Sequence, residues 1–390
     1  MFSLLSKSKF FAGHIIALIS ILWLAACQPV SLGGGPSINT KAAVPVALLV
    51  PGGSGNAGDE ILTANLENAA RLAISGLEGV KIDLRVYDTA GNPAQAANVA
   101  IQAVNDGAKI ILGPLYAEAA NAVGVAVAGR NVNVLAFSNN TQIAGGNVFI
   151  LGQTFQNTAN RLVNYAKQQG RSKIMIVHAN TTAGETGRDA ISRAIANAGA
   201  TQVGVGSYEF SQGGIANAVR PIASTIRSSG AQAVFLTASI DGDLPLLSQM
   251  LPESNVDIEA IRFIGLTRWD SIPSTLALPG VQGGWFAMPD RNATANFNAR
   301  YSSAFGEQPH PIAGLSFDGI AAIGVLVKAG KSDALTAAAL TQGAGFAGAN
   351  GIFRLNPDGT NQRGLAVAQI QDKQIVIVDA APRSFGGAGF

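Results

Sequence analysis

From Val44 onward the apolar positions fall into short runs that switch between two spacings. VPVALLV at 44–50 is a continuous apolar run closed by Pro51 and Gly52, the pattern of a buried strand. Over 59–77, Ile61, Leu62, Leu66, Ala69, Ala70, Ala73 and Leu77 recur at the three-and-four spacing of one helix face. Residues 80–87 then alternate, with Val80, Ile82, Leu84 and Val86 on one side. An Ala-rich helix with Pro at its start follows over 93–106. A buried strand over 108–112 ends at Gly113-Pro114, and a helix over 116–129 and a strand over 132–137 complete the run.

The unit then repeats. Helices are predicted over 155–169, 186–198, 215–228 and 244–251, and strands over 173–178, 202–208, 231–237 and 261–265. Strands alternating with helices of this length build βαβ units with parallel sheets buried between helices. Two successive runs predict an α/β fold of two doubly wound, Rossmann-like lobes. After Trp285-Phe286 the pattern changes to a helix over 295–305 and a long apolar, Gly-rich stretch over 312–328. A hairpin of 351–355 and 364–370 is predicted around Asn356-Pro357-Asp358-Gly359, a strong turn sequence, with a further strand at 375–378 and a flexible tail at 382–390.

The N-terminus changes the picture. Lys7 and Lys9 precede a stretch, 10–26, that is apolar apart from His14 and Ser20, and Leu24-Ala25-Ala26 leads into Cys27, the only cysteine in 390 residues. This order is that of a secretory signal ending at small residues. The stretch is short against the about 20 residues of a membrane-spanning helix. LWLAACQPV resembles the bacterial lipoprotein lipobox. The resemblance implies cleavage before Cys27, a thioether to diacylglycerol on its sulfur, and acylation (palmitate or a similar chain) of the new amino group. Three chains exceed what stable anchoring requires. Gln28, following Cys27, favours the outer membrane by the same family's sorting rule. Removing residues 1–26 takes away Lys7 and Lys9 and leaves 24 basic against 24 acidic residues, so the surplus positive charge belongs to the signal. No basic run suggests a nucleic-acid partner. SLGGGPSINTK at 31–41 reads as a flexible tether, so that 27–43 form a lipidated Cys and leash.

VPVALLVP, VYDTAGNPAQA (86–96), IILGP (110–114) and AFSNN (136–140) are similar to the corresponding segments of type I periplasmic binding proteins, especially the leucine/isoleucine/valine-binding group. The resemblance spans about 44–380. It implies two lobes joined by three crossings, with ligand held in the cleft between them. The expected division is 44–152 plus 312–332 for the first lobe and 153–311 plus 333–381 for the second. Within that family, TAGETG (182–187), GLTRWD (265–270), LPGVQGGWFAMPD (278–290), HPIAGLSFDGIAA (310–322) and LTQGAGFAGANGIFRLNPDGTNQRGLAV (340–367) resemble the lipoproteins called penicillin-binding protein activators. That resemblance implies a non-enzymatic regulator of peptidoglycan synthesis touching a penicillin-binding protein. The wider family implies the alternative, a substrate-binding lipoprotein that delivers an amino acid or related solute to an ABC permease.

Ligands of open α/β sheets gather beyond the strand C-termini. On that rule and the resemblance, Gly52, Gly113, Pro114, Tyr116, Ser138, Asn139 and Asn140 are cleft candidates in the first lobe. Asn180, Gly184, Glu185, Thr267, Arg268, Trp269 and Asp270 are those of the second. Amino-acid binders of the family place an aromatic residue near 182–185 and an acid near 270. Here Thr182-Ala183-Gly184-Glu185 replaces the aromatic, and Arg268 competes with a ligand for Asp270. Loop capping by Ser138, Asn139 and Asn140, and packing of Trp269 or Trp285, are the bland alternatives. GSGNAG at 53–58 matches G-x-G-x-x-G between a strand and a helix. Asp59 and Glu60 open that helix, however, and occupy the positive end a pyrophosphate needs, so the bland reading is a lip loop with Asp59 as cap. No zinc-ligand spacing, no second Cys and no G-x-S-x-G are present, and His178 and His310 are the only histidines after the signal. A binding protein without metal, cofactor or catalytic residues is therefore expected.

Overall fold

The computed structural model describes residues 34–386; Cys27 and the signal lie outside them. The first lobe is built on β1 (Val44–Val50), α1 (Ala57–Ser75), β2 (Ile82–Asp88), α2 (Pro93–Asn105), β3 (Ile110–Leu112), α3 (Ala117–Val127), β4 (Asn133–Ala136) and β5 (Val148–Ile150). Its sheet has the order β2-β1-β3-β4-β5 and every pairing is parallel. β1 is paired on both sides and is buried along nearly its whole length, as its unbroken apolar run requires.

The second lobe continues with α4 (Phe155–Gln168), β6 (Lys173–Ala179), α5 (Thr182–Ala198), β7 (Thr201–Tyr208), α6 (Gln212–Ser228), β8 (Ala233–Leu236), α7 (Leu244–Glu253), β9 (Arg262–Gly265) and β10 (Trp285–Met288). Next come α8 (Arg291–Phe305), α9 (Ala313–Lys328), α10 (Ala337–Leu340), β11 (Phe346–Gly348), β12 (Gly351–Leu355), β13 (Asn361–Arg363), β14 (Ala366–Gln371) and β15 (Gln374–Asp379). The second sheet runs β15-β14-β10-β9-β8-β6-β7, with β14 and β15 antiparallel on the far edge. Apolar clusters fill both faces of each sheet, as a doubly wound layer demands.

The chain crosses between lobes three times, the first time where the sequence placed the boundary and the other two times elsewhere. The first crossing is at 151–154. The second comes at 289–290, since Phe297 and Tyr301 of α8 pack on Ala69 and Leu72 of α1. Leu335, Leu340, Phe346, Phe353 and Leu355 then join the core of the first sheet, which leaves the third crossing at 364–365. Residues 291–311 and 333–363 thus pack with the first lobe. The turn at Asn356–Gly359 closes a hairpin as expected, but its return arm is β13; β14 belongs to the other sheet.

The segment read as a leash is seated from Gly34 on. Asn131 and Asn133 donate Nδ2 hydrogens to the Gly35 and Gly34 carbonyls at 2.8 and 3.1 Å, Ile38 N donates to Ser332 O at 2.9 Å, and Ile38 is 7% exposed within the core. A Cβ on Gly35 would stand 2.5 Å from Thr336 Cα, so this glycine serves close approach and not flexibility.

Candidate functional site

The crossings are tied together. Asn361 Nδ2 donates to the Ile150 and Gly152 carbonyls, both at 2.8 Å, and Ile150 N donates to Gly359 O at 2.9 Å. Arg363 Nε donates to Leu151 O at 3.0 Å, while Asp290 N donates to Asn350 O at 3.1 Å. All three crossings therefore form one polar hinge, and a cavity of about 840 Å³ opens beside it.

The first lobe supplies its apolar wall, with Leu62, Leu115, Phe137, Phe297, Ile312 and Leu315. Of the sequence candidates, Tyr116, Ser138, Asn139, Asn140 and Arg268 line the cavity. Ser138 Oγ accepts Asn140 N at 3.1 Å and Asn140 Oδ1 accepts Gln142 N at 2.9 Å, so both also shape the turn; the Ser138 proton is left to donate. Tyr116 OH donates to Asp59 Oδ1 in a short contact. That bond, with partial burial and the Asp59 charge, pushes the phenol up to about 12.

The other candidates stand away from the cavity lining. A Cβ on Gly52 would meet Asp88 Oδ1 at 2.4 Å, and one on Gly113 would meet Leu49 O. These two glycines, with Pro114, serve strand packing and the turn. Asn180 Nδ2 donates to Glu209 Oε1 at 2.8 Å, Gly184 N caps α5 through Thr181 Oγ1 at 3.1 Å, and Glu185 is exposed on that helix. Thr267 Oγ1 donates to Ala238 O at 2.9 Å. Trp269 is fully buried between Gly265, Gly284 and Phe286, and Trp285 stacks edge-on to Tyr165 with ring centroids 4.8 Å apart. Asp270 is taken up by a two-point pair with Arg268, 2.9 Å from Nε and 2.5 Å from the terminal nitrogen. Around the G-x-G-x-x-G loop the first-turn donors are used internally: Asn56, not Asp59, caps α1 through Gly58 N at 2.8 Å, and Glu60 Oε1 accepts Gly53 N at 2.9 Å.

The sequence reading missed the hinge side of the cavity. His310, Thr294, Asn298, Asn350, Gln153 and Arg363 all line it. His310 Nδ1 accepts Ile312 N at 3.2 Å, which leaves the ring proton on Nε2. Thr294 Oγ1 donates to Asn350 Oδ1 at 3.1 Å. Gln153 and Arg363 lie at crossings and Thr294, Asn298, His310 and Asn350 on α8 and the loops near them, where no strand end announces them; the prolines around His310 were the sole signal. The lining thus carries Arg268, His310, Arg363 and several amides and, among the described residues, no Asp or Glu. Nor, among the described residues, does any His/Cys/Asp/Glu group suit a metal ion.

Two α/β lobes joined by a three-stranded hinge, with a half-apolar cleft beside it, define a binding protein of the two-lobed type I class. The chain belongs to the periplasmic binding protein family, whose model matches residues 43–374. No curated protein matches by sequence. Among solved structures it is similar to a putative branched-chain amino acid ABC transporter protein from Rhodospirillum rubrum, at 17% identity and a TM-score of 0.72, covering 86% of this chain and 100% of that one. An ABC transporter substrate-binding protein from Desulfitobacterium hafniense in complex with Leu gives 16%, 0.60, 86% and 100%. A solute-binding protein from Rhodopseudomonas palustris BisB5 in complex with 3,4-dihydroxy benzoic acid gives 19%, 0.54, 87% and 98%. At these identities the likeness is one of fold. Family membership places the working site in the periplasm.

Proposed function

We propose that the protein is a lipid-anchored solute receptor, held by Cys27 at the periplasmic face of the outer membrane, whose cleft takes a small organic carboxylate with an apolar body. The lining carries this reading: Arg268, which uses only two of its nitrogens on Asp270, and amide donors face the cavity, apolar side chains wall it, and no acid is left for an ammonium group. A free amino acid needs such an acid, and Asp270 is already paired. Of the ligands seen in the related folds, 3,4-dihydroxybenzoate suits this cleft better than leucine. A thermal-shift series with 3,4-dihydroxybenzoate, leucine and muropeptides tests it. At 100 times the Kd a ligand adds about 2.7 kcal/mol of stability. Stabilisation by leucine alone, or by no carboxylate, would end the proposal. A receptor of this kind hands its ligand to an ABC permease.

The second reading is a penicillin-binding protein activator that regulates peptidoglycan synthesis. The motif resemblance favours it, and so does a specific observation: residues 182–187 begin α5 and leave the second lobe few cleft residues, chiefly Gln153, Arg268, Pro289 and Leu365. Co-purification with a synthase and a changed polymerisation rate would support it. Both readings are non-enzymatic. His178 Nδ1 is occupied by Ala179 O at 3.0 Å in a buried site and His310 Nδ1 by Ile312 N, so neither ring is set beside a nucleophile. Binding or regulation that survives replacement of His178 is the expected outcome, since only His310 lines the cleft.

A further inference from the structure

The edge of the first lobe opposite the cleft carries both the chain's point of entry and a surplus of positive charge. All five strands of this sheet are parallel, so their N-terminal ends share one edge. Gly34 and Gly35 are held there by Asn133 and Asn131, beside the loop after α9. Lys41, Lys81, Lys109, Arg130, Lys328 and Lys331 lie at the same strand starts and helix ends. Val44 N donates to Lys81 O and Lys109 N to Pro45 O, at 2.9 Å each, which ties these positions to one edge. Among the described residues none of the six forms an ion pair. The acids interspersed are Glu78, Asp83, Asp106 and Asp333, of which Asp83 is paired with Arg85. Two of the six cations, Arg130 and Lys328, close helices, where they also complement the helix dipole. Lys41, Lys81, Lys109 and Lys331 close none.

We infer that this edge is a membrane-facing surface that rests on anionic phospholipid headgroups. The inference rests on the anchoring of Cys27 proposed above. Only residues 28–33 separate Cys27 from the seated Gly34, and fully extended they reach about 25 Å. The anchored edge thus stays within reach of the headgroups, and its charge sets which way the lobe faces, over the roughly 8 Å range that salt leaves to such forces. The cleft, at the other end of β1, stands about 20 Å further out and opens away from the bilayer.

The test uses the lipidated full chain in vesicles of phosphatidylethanolamine and phosphatidylglycerol that also carry a headgroup quencher. Lipid on Cys27 leaves no other thiol, so Ser332→Cys and Ile61→Cys place one fluorophore on the charged edge or on the exposed cleft lip. Quenching about threefold stronger at 332 than at 61 is expected. Combined Lys81→Glu, Lys109→Glu and Lys331→Glu should erase the difference without changing the melting temperature. Equal quenching at both sites, or a difference that survives charge reversal, overturns the inference. The mass of the N-terminal peptide reports the lipid separately. If Cys27 proves unmodified, the anchor fails, and co-sedimentation with the same vesicles decides the surface alone: the parent chain should sediment and the charge-reversed chain should not.

Discussion

Arg363 and Asp318 form a buried pair, with the terminal nitrogen 2.9 Å from Oδ2 and side chains 7% and 0% exposed. Arg363 also holds the Leu151 carbonyl, and Asp318 Oδ1 accepts Ala349 N at 2.7 Å. One pair therefore ties the first crossing, the third crossing and α9 together. Burial pushes the Asp318 carboxyl up, and the Arg363 charge pulls it back. Arg363→Met should cost about 3–5 kcal/mol at neutral pH, because it strands a buried charge. The deficit should shrink in acid. Without Arg363 the carboxyl's folded pKa rises further above its unfolded value. Its contribution is then full below that unfolded value and is lost as pH rises through the folded one. Urea unfolding of both proteins from pH 4 to 8 measures this. A deficit independent of pH would refute it.

The second prediction concerns Tyr116 and Asp59. All five tyrosines of the chain are raised above the ordinary phenol value: Tyr116 chiefly through its bond to Asp59, the other four chiefly through burial. Ultraviolet titration of the folded protein should therefore show ionisation displaced above pH 10, with Tyr116 near 12. Asp59→Asn should return one tyrosine toward the ordinary range. The sign for stability follows: the Tyr116 contribution is complete below its unfolded value and disappears as pH rises through about 12. An unaltered titration in Asp59→Asn would refute the coupling.

The two lobes were legible because their strands are unbroken apolar runs separated by helices with a clear period. β5 was missed because Val148-Phe149-Ile150 is too short to carry any period, and β10 because Gly283-Gly284 in front of it reads as a loop. The place of α8 was not legible at all, since Phe297 and Tyr301 show a buried face but not which lobe buries it. In the cleft, the strand-end rule found Tyr116 and Ser138 to Asn140. In the second lobe it found only Arg268, since Thr181 and Gly184 cap a helix and Trp269 fills a core. His310, Asn350 and Arg363 lie on segments that meet beside the crossings, and that meeting is a tertiary fact. The leash misled for a chemical reason: glycine marks close backbone contact as well as freedom, and Gly35 is the former.

The seating of the N-terminal segment gives a third prediction. Gly35→Val sets a branched side chain against the backbone of Leu335 and Thr336, which has no flexible end to yield. Asn133→Ala removes the donor shared by the Gly34 and Leu335 carbonyls, the latter at 2.8 Å. Each should cost about 1–3 kcal/mol and free residues 34–43 for proteolysis, while leaving ligand affinity unchanged. Limited proteolysis read by mass spectrometry checks this. A segment cut equally fast in the parent protein would show that it is not seated.

The last prediction separates a receptor for plain carboxylates from one for amino acids. Arg268 is the cation of the second lobe that faces the cleft, and its partner Asp270 has an 8% exposed side chain. Arg268→Met removes a charged donor from the cavity, and affinity for 3,4-dihydroxybenzoate should fall about 10–100-fold, or roughly 1.5–3 kcal/mol. The same change leaves Asp270, which stands behind Arg268, without its cation, and an ammonium group taking the guanidinium's place would relieve it. Leucine should therefore lose less, or gain, and the ratio of the two affinities should move toward the zwitterion. Calorimetric titration of both ligands into both proteins measures that ratio. An equal loss for both ligands would mean that Arg268 acts only by bracing Asp270 and the Trp269 turn, and that the carboxylate is held elsewhere, by Ser138 and the donors around His310.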